Sequence, residues 1–250
     1  MKSYVMTDVG QKRVSNQDAF CQASLSSDVQ FMVLCDGMGG HRGGNVASEI
    51  AVRAFYELLS HRLMQPIRPK ELKSVLSGVI ARVSLMIAQT GAESPEFAGM
   101  GSTVVLAIRW GKKICIAHVG DSRAYLFRSG KLRRLTKDHS LVQEMIDRGE
   151  ISAEEGQTHP HRHVITRTLG YAEDSQPEIL FSDLRSGDVF LLCTDGLTVS
   201  VSEEALSELL RENAPENLAP VLISKALEGG GPDNITVGIL YEDEKEANLK

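Results

Sequence analysis

One pattern constrains this chain more than any other: an apolar run that ends in a carboxylate, used several times. Phe31-Met-Val-Leu-Cys-Asp36-Gly37 is the first, and Phe190-Leu-Leu-Cys-Thr-Asp195-Gly196 repeats it. His118-Val-Gly-Asp121 ends another run, Asp233-Asn234 directly precedes Ile-Thr-Val, and Asn16-Gln17-Asp18 adds a carboxylate near the N-terminus. Short apolar runs bounded by turn residues read as buried strands. A single Asp before Gly is explained by turn capping. Several at strand ends converge in space if the strands are neighbours. Clustered carboxylates cannot all stay ionised without compensating cations. An oxygen-only donor set suits Mg²⁺ or Mn²⁺ rather than zinc. Two such ions can activate a water and clamp a phosphoryl group.

A competing reading starts from the glycines. Gly37-x-Gly39-x-x-x-Gly43 follows a strand and precedes a helix, as a dinucleotide fingerprint does. That fingerprint needs an acidic residue about 20 positions on, at the end of a second strand. Glu57 is the nearby candidate, and it sits in a helical stripe. The lysine of a P-loop is absent too. The carboxylate reading is the stronger one.

Strands are expected at about 31–36, 103–109, 113–119, 124–128, 132–135, 188–194 and 235–241. Short turns link the segments between 103 and 135, which read as an antiparallel meander. Val46, Ile50, Ala54 and Leu58 form one helical stripe. Leu72, Val75, Leu76, Val79, Ile80, Val83 and Ile87 form another, after Pro69 and before Gly91. Two more helices are expected at about 203–212 and 215–228. The order places helices on the outer faces of antiparallel sheets. Residues 1–241 read as one domain, with a flap at about 141–165 and a polar tail at 242–250.

The chain has 250 residues, 42% hydrophobic and 24% charged, enough for a sizeable core. Its net charge of −6 and lack of a long basic run give no support for a nucleic-acid or anionic-membrane surface. No signal-peptide core is evident, and no apolar run approaches about 20 residues. Cysteines 21, 35, 115 and 193 are scattered, three of them inside apolar runs. They read as buried thiols, and a cytoplasmic protein is expected.

Eight short motifs then occur in order: Arg13-x-x-Asn-Gln-Asp18, Asp36-Gly-Met-Gly-Gly-His41, Gly101-Ser-Thr, Gly120-Asp-Ser-Arg123, Leu135-Thr-x-Asp-His139, Ile165-x-Arg-x-Leu-Gly170, Asp195-Gly-Leu and Asp233-Asn-Ile-Thr236. Together they resemble the metal-dependent (PPM, type 2C) serine/threonine protein phosphatases in their compact bacterial form. The resemblance implies an α+β fold, a four-layer α/β/β/α sandwich with two central antiparallel sheets flanked by antiparallel helix pairs. It implies hydrolysis of phosphoserine and phosphothreonine in proteins by a metal-bridging water, without a phosphoenzyme. By that resemblance Asp36 bridges two Mn²⁺ or Mg²⁺ ions and the Gly37 carbonyl joins one of them. Asp195 and Asp233 complete the other, and Asp18 acts through metal-bound waters. Asp121, with Asp195, resembles the site of a third, weaker ion. Arg13 resembles the arginine that binds substrate phosphate, a role suited to its planar donor fork.

Two positions depart from the pattern. Gln17 stands where some relatives carry Glu and cannot supply that charge. Met38 stands where others place the histidine proposed as general acid, so His41 and a metal-bound water remain as candidates. A cognate kinase and a monomeric state are expected by analogy. His159, His161 and His163 alternate, which on a strand would make one metal-binding face; a flap segment is the better reading. Asp138–His139 reads as a turn in preference to a pair supporting the site from behind, Arg123 as structural, and Ser102–Thr103 lacks the partners of a nucleophile. A small phosphoester is the rival substrate. A catalytically dead phosphoprotein binder is disfavoured, because Asp18, Asp36, Asp195 and Asp233 are all present.

Overall fold

The structure is a computed structural model that describes residues 1–65, 67–171 and 175–242, without the side chains of residues 40–42 and 69. The expected tail therefore lies outside the described residues from position 243 onward. The elements run β1 (Lys2–Asp8), β2 (Asp18–Ser24), β3 (Val29–Met38), α1 (Gly40–Leu63), α2 (Pro69–Glu93), β4 (Gly101–Ser102), β5 (Val104–Trp110), β6 (Lys113–Val119), β7 (Arg123–Arg128) and β8 (Lys131–Arg134). Then follow α3 (Leu141–Asp147), α4 (Ala153–Thr158), β9 (Glu178–Asp183), β10 (Val189–Cys193), α5 (Asp195–Ser200), α6 (Glu203–Glu212), α7 (Leu218–Glu228) and β11 (Ile235–Tyr241).

Two antiparallel sheets result. One has the order β1-β11-β10-β7-β8; the other has β2-β3-β5-β6-β9, with β4 on the end of β3. The two-residue periodicity of strands decides what each face buries. On β3, Met32 and Leu34 point into the space between the sheets, where they meet Val105, Ile116, Leu126, Phe190 and Leu192. Phe31, Val33 and Cys35 point the other way, onto Phe55 and Leu59 of α1 and Leu76 and Ile80 of α2. The first sheet's outer face, with Leu191, Val237 and Ile239, is covered by Leu206 and Leu210 of α6 and Leu222 and Ile223 of α7. These are the four layers of the expected sandwich.

Three findings correct the sequence reading. The segment between 103 and 135 is not one meander. β5 and β6 pair in one sheet and β7 and β8 pair in the other, so the Gly120-Asp121-Ser122 turn is a crossover between sheets. Strands β1, β2 and β9 were not anticipated. All three are edge strands with alternating, partly exposed residues, which weakens their apolar signal. Helix α2 has the length and composition to cross a membrane over Lys70–Glu93, contrary to the expectation that no segment would. Here its Leu72, Leu76, Ile80, Val83 and Ile87 are buried in the core beneath it.

Leu76 is fully buried between α2 and the sheet. Leu76→Ala is expected to lower unfolding free energy by about 2–5 kcal/mol through lost burial and a residual cavity. Urea denaturation checks this; a smaller loss would place α2 outside the core.

Candidate metal centre

The β2–β3 ladder places Asp18 directly opposite Asp36. The backbone of Asp36 is fixed on three sides. Its N–H donates to Thr103 Oγ1 at 3.1 Å, and its carbonyl accepts from Thr103 N–H at 2.8 Å and Ser102 Oγ at 3.0 Å. Thr103 Oγ1 is in turn 2.8 Å from Ser122 Oγ, beside Asp121. Ser102 and Thr103 thus brace the strand end, in keeping with their lack of nucleophile character. Gly37 follows, with its N–H on Gln17 O at 3.1 Å. A Cβ there would lie 2.0 Å from the Gly44 carbonyl, so only glycine lets helix α1 start this close to the strand.

Asp195 leaves β10 and opens α5, while Asp233 sits just before β11. The Asn234 side chain ties this corner to the N-terminal loop. Its Oδ1 accepts from Gln17 N–H at 2.8 Å, and its Nδ2 donates to Val9 O at 2.8 Å and Ser15 O at 3.0 Å. That loop carries Arg13, whose Nη2 donates to Asp233 Oδ2 at 2.7 Å. Asp233 Oδ1 accepts from Asn234 N–H at 2.8 Å, so both Asp233 oxygens have partners.

The other carboxylates differ. Asp18 Oδ2 accepts from the hydroxyls of Thr194 at 2.8 Å and Thr236 at 2.7 Å. Its Oδ1 is buried with no partner, and so are Asp121 Oδ1 and Asp195 Oδ1. Buried polar atoms are nearly always hydrogen-bonded, and three bare carboxylate oxygens in one region need an explanation. Burial pushes the Asp18 carboxyl up to about 7, against the two threonine hydroxyls and with added repulsion from Asp195 and Asp233. Asp195 is raised to about 6, by burial and then by Asp233. Asp36 is held well above the usual carboxylate range by burial, then by Asp18, Asp195, Asp121 and Asp233. Burial followed by Asp195 raises Asp121 in the same way. The five carboxylates named from the sequence therefore act on one another. An oxygen-only set with bare, buried, mutually repelling acceptors fits a hard divalent cation.

The remaining candidates are distributed as follows. The His41 side chain lies outside the described residues; its backbone belongs to the first turn of α1. His159 and His161 do not lie on a strand. His159 ends α4, and the two rings are tilted 51° at 5.6 Å. His163 lies close enough to Asp195 to help lower its pKa. Arg123 hydrogen-bonds Asp138 through Nε and Nη2 and reaches the Tyr125 hydroxyl, a structural role. Sequence reasoning missed Thr194 and Thr236. Both lie inside the Asp195 and Asp233 motifs, but their service to Asp18 is visible only in three dimensions.

The family model for protein phosphatase 2C matches residues 10–228. The serine/threonine phosphatase stp of Listeria monocytogenes is 36% identical over 244 residues, covering 97% of this chain and 96% of its own length. The solved S. agalactiae serine/threonine phosphatase superposes with a TM-score of 0.89 at 35% identity, covering 97% of this chain and 99% of that one. The catalytic domain of the serine/threonine protein phosphatase PstP, solved with two manganese ions, superposes with a TM-score of 0.82 at 34% identity, covering 95% and 96%.

The raised carboxyls set a pH dependence for the metal-free protein. Their folded pKa values, about 7 for Asp18 and about 6 for Asp195, lie above the ordinary 3.8. Their stabilising contribution is therefore present at low pH and lost as pH rises through those values. In EDTA, the thermal midpoint is expected to fall from about pH 4 to about pH 7 and then level off, and Asp18→Asn should flatten that fall. A flat profile in the parent chain would contradict the clustering.

Proposed function

The chain belongs to the protein phosphatase 2C family, and from that premise we propose that it hydrolyses phosphoserine and phosphothreonine in proteins at a centre of two divalent cations. The observation that carries the proposal is the set of buried, unpartnered oxygens on Asp18, Asp121 and Asp195. Asp36 would be shared by both ions, the Gly37 carbonyl would join one, and Asp195 and Asp233 would complete the other. Asp18 faces Asp36 across the β2–β3 ladder and would act at one remove, one oxygen fixed by Thr194 and Thr236 and the other bare. Asp121 and Asp195 each offer a bare oxygen, which supports a third, weaker cation between them. Mn²⁺ or Mg²⁺ in this place supplies a polarised water and neutralises charge on the phosphoryl oxygens.

Arg13 has a part that the geometry makes specific. It is half exposed and rests on Asp233 at 2.7 Å. The carboxylate raises the Arg13 pKa, so the guanidinium stays charged. Asp233 would serve as a cation ligand once Arg13 leaves it, and the planar fork of Arg13 can then turn to two phosphate oxygens. His41 or a water of the centre would return a proton to the serine or threonine leaving oxygen. The phosphoprotein itself implies a kinase that writes the phosphate.

The test is phosphate release from a phosphothreonine peptide with Mn²⁺, against EDTA and against small phosphorylated metabolites. Mn²⁺-dependent release that favours the peptide is expected. Arg13→Ala should raise KM about tenfold and lower kcat less, since its contact is made in the ground state. Faster turnover of the metabolites would move the activity to small phosphoesters, and no release from folded protein would refute the proposal.

A further inference from the structure

His118, His139 and Glu178 gather at a place that the proposed chemistry does not use. One donor atom from each lies within 4.8 Å of the others. The two imidazoles stack at 4.5 Å with planes 18° apart, and each Nε2 is 3.5 Å from a different Glu178 oxygen. Two histidines and a carboxylate have the composition of a zinc site. The hydrogen bonding of His139 speaks against that. Gly120 N–H donates to His139 Nδ1 at 3.1 Å, so Nδ1 carries the lone pair. In a neutral imidazole the proton then sits on Nε2, the atom a metal would need. The Arg167 guanidinium, with Nη1 3.4 Å from that nitrogen, is a neighbour rather than a donor to it and further opposes a cation there. Burial, followed by the Arg167 guanidinium, lowers the His139 pKa and keeps the ring neutral.

The contact with Gly120 is double. His139 N–H also donates to the Gly120 carbonyl at 3.0 Å, so one residue holds both polar groups of the other. Gly120 has φ +107°, and a Cβ there would lie 2.7 Å from Thr103 Cγ2. Its neighbour is Asp121, with a bare buried oxygen. On its other side, His139 O accepts from Thr166 N–H at 2.9 Å, and Leu141 N–H donates to Val164 O at 2.9 Å. With the Ser140–Ile165 bridge, these bonds form the root of the flap that carries α3 and α4. Glu178 pairs with His118 across β6 and β9, so the far edge of the ring is anchored to the second sheet.

We infer that His139 is a positioning residue whose Nδ1 locks the Gly120–Asp121 turn to the flap root, so that cation binding at Asp121 and seating of the flap are set together. The inference rests on the reading of Asp121 as a cation ligand. The acceptor is the working atom. Asparagine puts its Oδ1 close to the place of Nδ1. Leucine fills similar space but strands the buried Gly120 N–H, a loss equivalent to about tenfold in an equilibrium.

The experiment compares His139→Asn and His139→Leu in the full chain. The first readout is tryptic cleavage at the exposed Arg148 and Arg162 of the flap in EDTA, which needs no activity. The second is the Mn²⁺ concentration for half-maximal turnover of the phosphothreonine peptide, with circular dichroism as the check on folding. His139→Leu is expected to be cleaved about tenfold faster and to need about tenfold more Mn²⁺, and His139→Asn to stay within about threefold of the parent in both. The inference is overturned if folded His139→Leu matches the parent, if His139→Asn is as impaired as leucine, or if one readout moves without the other. Should the leucine variant fail to fold, His139→Gln, whose amide reaches the Nε2 end, serves as the variant lacking the acceptor. A parent chain without Mn²⁺-dependent turnover refutes the phosphatase reading instead, and the metal-free cleavage comparison then decides the role of His139.

Discussion

Asp18 and Asp36 face each other across two paired strands, and much else in the molecule follows from keeping them there. Like charges directly opposite in a sheet repel. The register cannot slip to relieve this. Phe31 to Cys35 are all fully buried, alternating between the inter-sheet core and the helix-covered face. A one-residue shift would turn every one of those side chains to the wrong layer. The hydrophobic core therefore holds two carboxylates together, and the neighbouring strand ends bring Asp121, Asp195 and Asp233 into the same field. The repulsion is a local cost that a well-packed sandwich can carry and that a bound cation removes.

The polar contacts around the site divide the work. Thr194 and Thr236 hold one oxygen of Asp18 and leave the other bare. The Thr236 hydroxyl accepts in turn from Thr7, which accepts from Asn16, so a chain of donors runs from the N-terminal loop to the carboxylate. Asn234 fixes the same loop by three hydrogen bonds and so sets where Arg13 begins. Arg13 itself is exposed and rests on Asp233 through a single nitrogen. A fixed backbone carrying one half-exposed cationic arm is the arrangement that the proposed exchange between Asp233 and a substrate phosphate would use.

Much of this was legible in the sequence, for identifiable reasons. The central strands announce themselves as uninterrupted apolar runs, and their terminal carboxylates are visible because each breaks such a run. The edge strands β1, β2 and β9 were not legible, since half their residues face solvent and read as loop. The crossover at Gly120-Asp121-Ser122 looked like a hairpin turn, because strand periodicity does not say which sheet a strand joins. The service of Thr194 and Thr236 to Asp18 spans 176 and 218 residues and has no local signature. His139 stood in a motif that read as a turn. Its side chain gained meaning only when Gly120, Glu178 and His118 appeared around it.

The central claim is that the clustered carboxylates form a seat for cations. Equilibrium titration of the metal-free protein with Mn²⁺, followed by calorimetry, addresses it without reference to any substrate. The account predicts tight binding of two ions per chain, lost on Asp36→Ala while the variant stays folded. Absence of Mn²⁺ binding by the folded parent, or undiminished binding by Asp36→Ala, would contradict it.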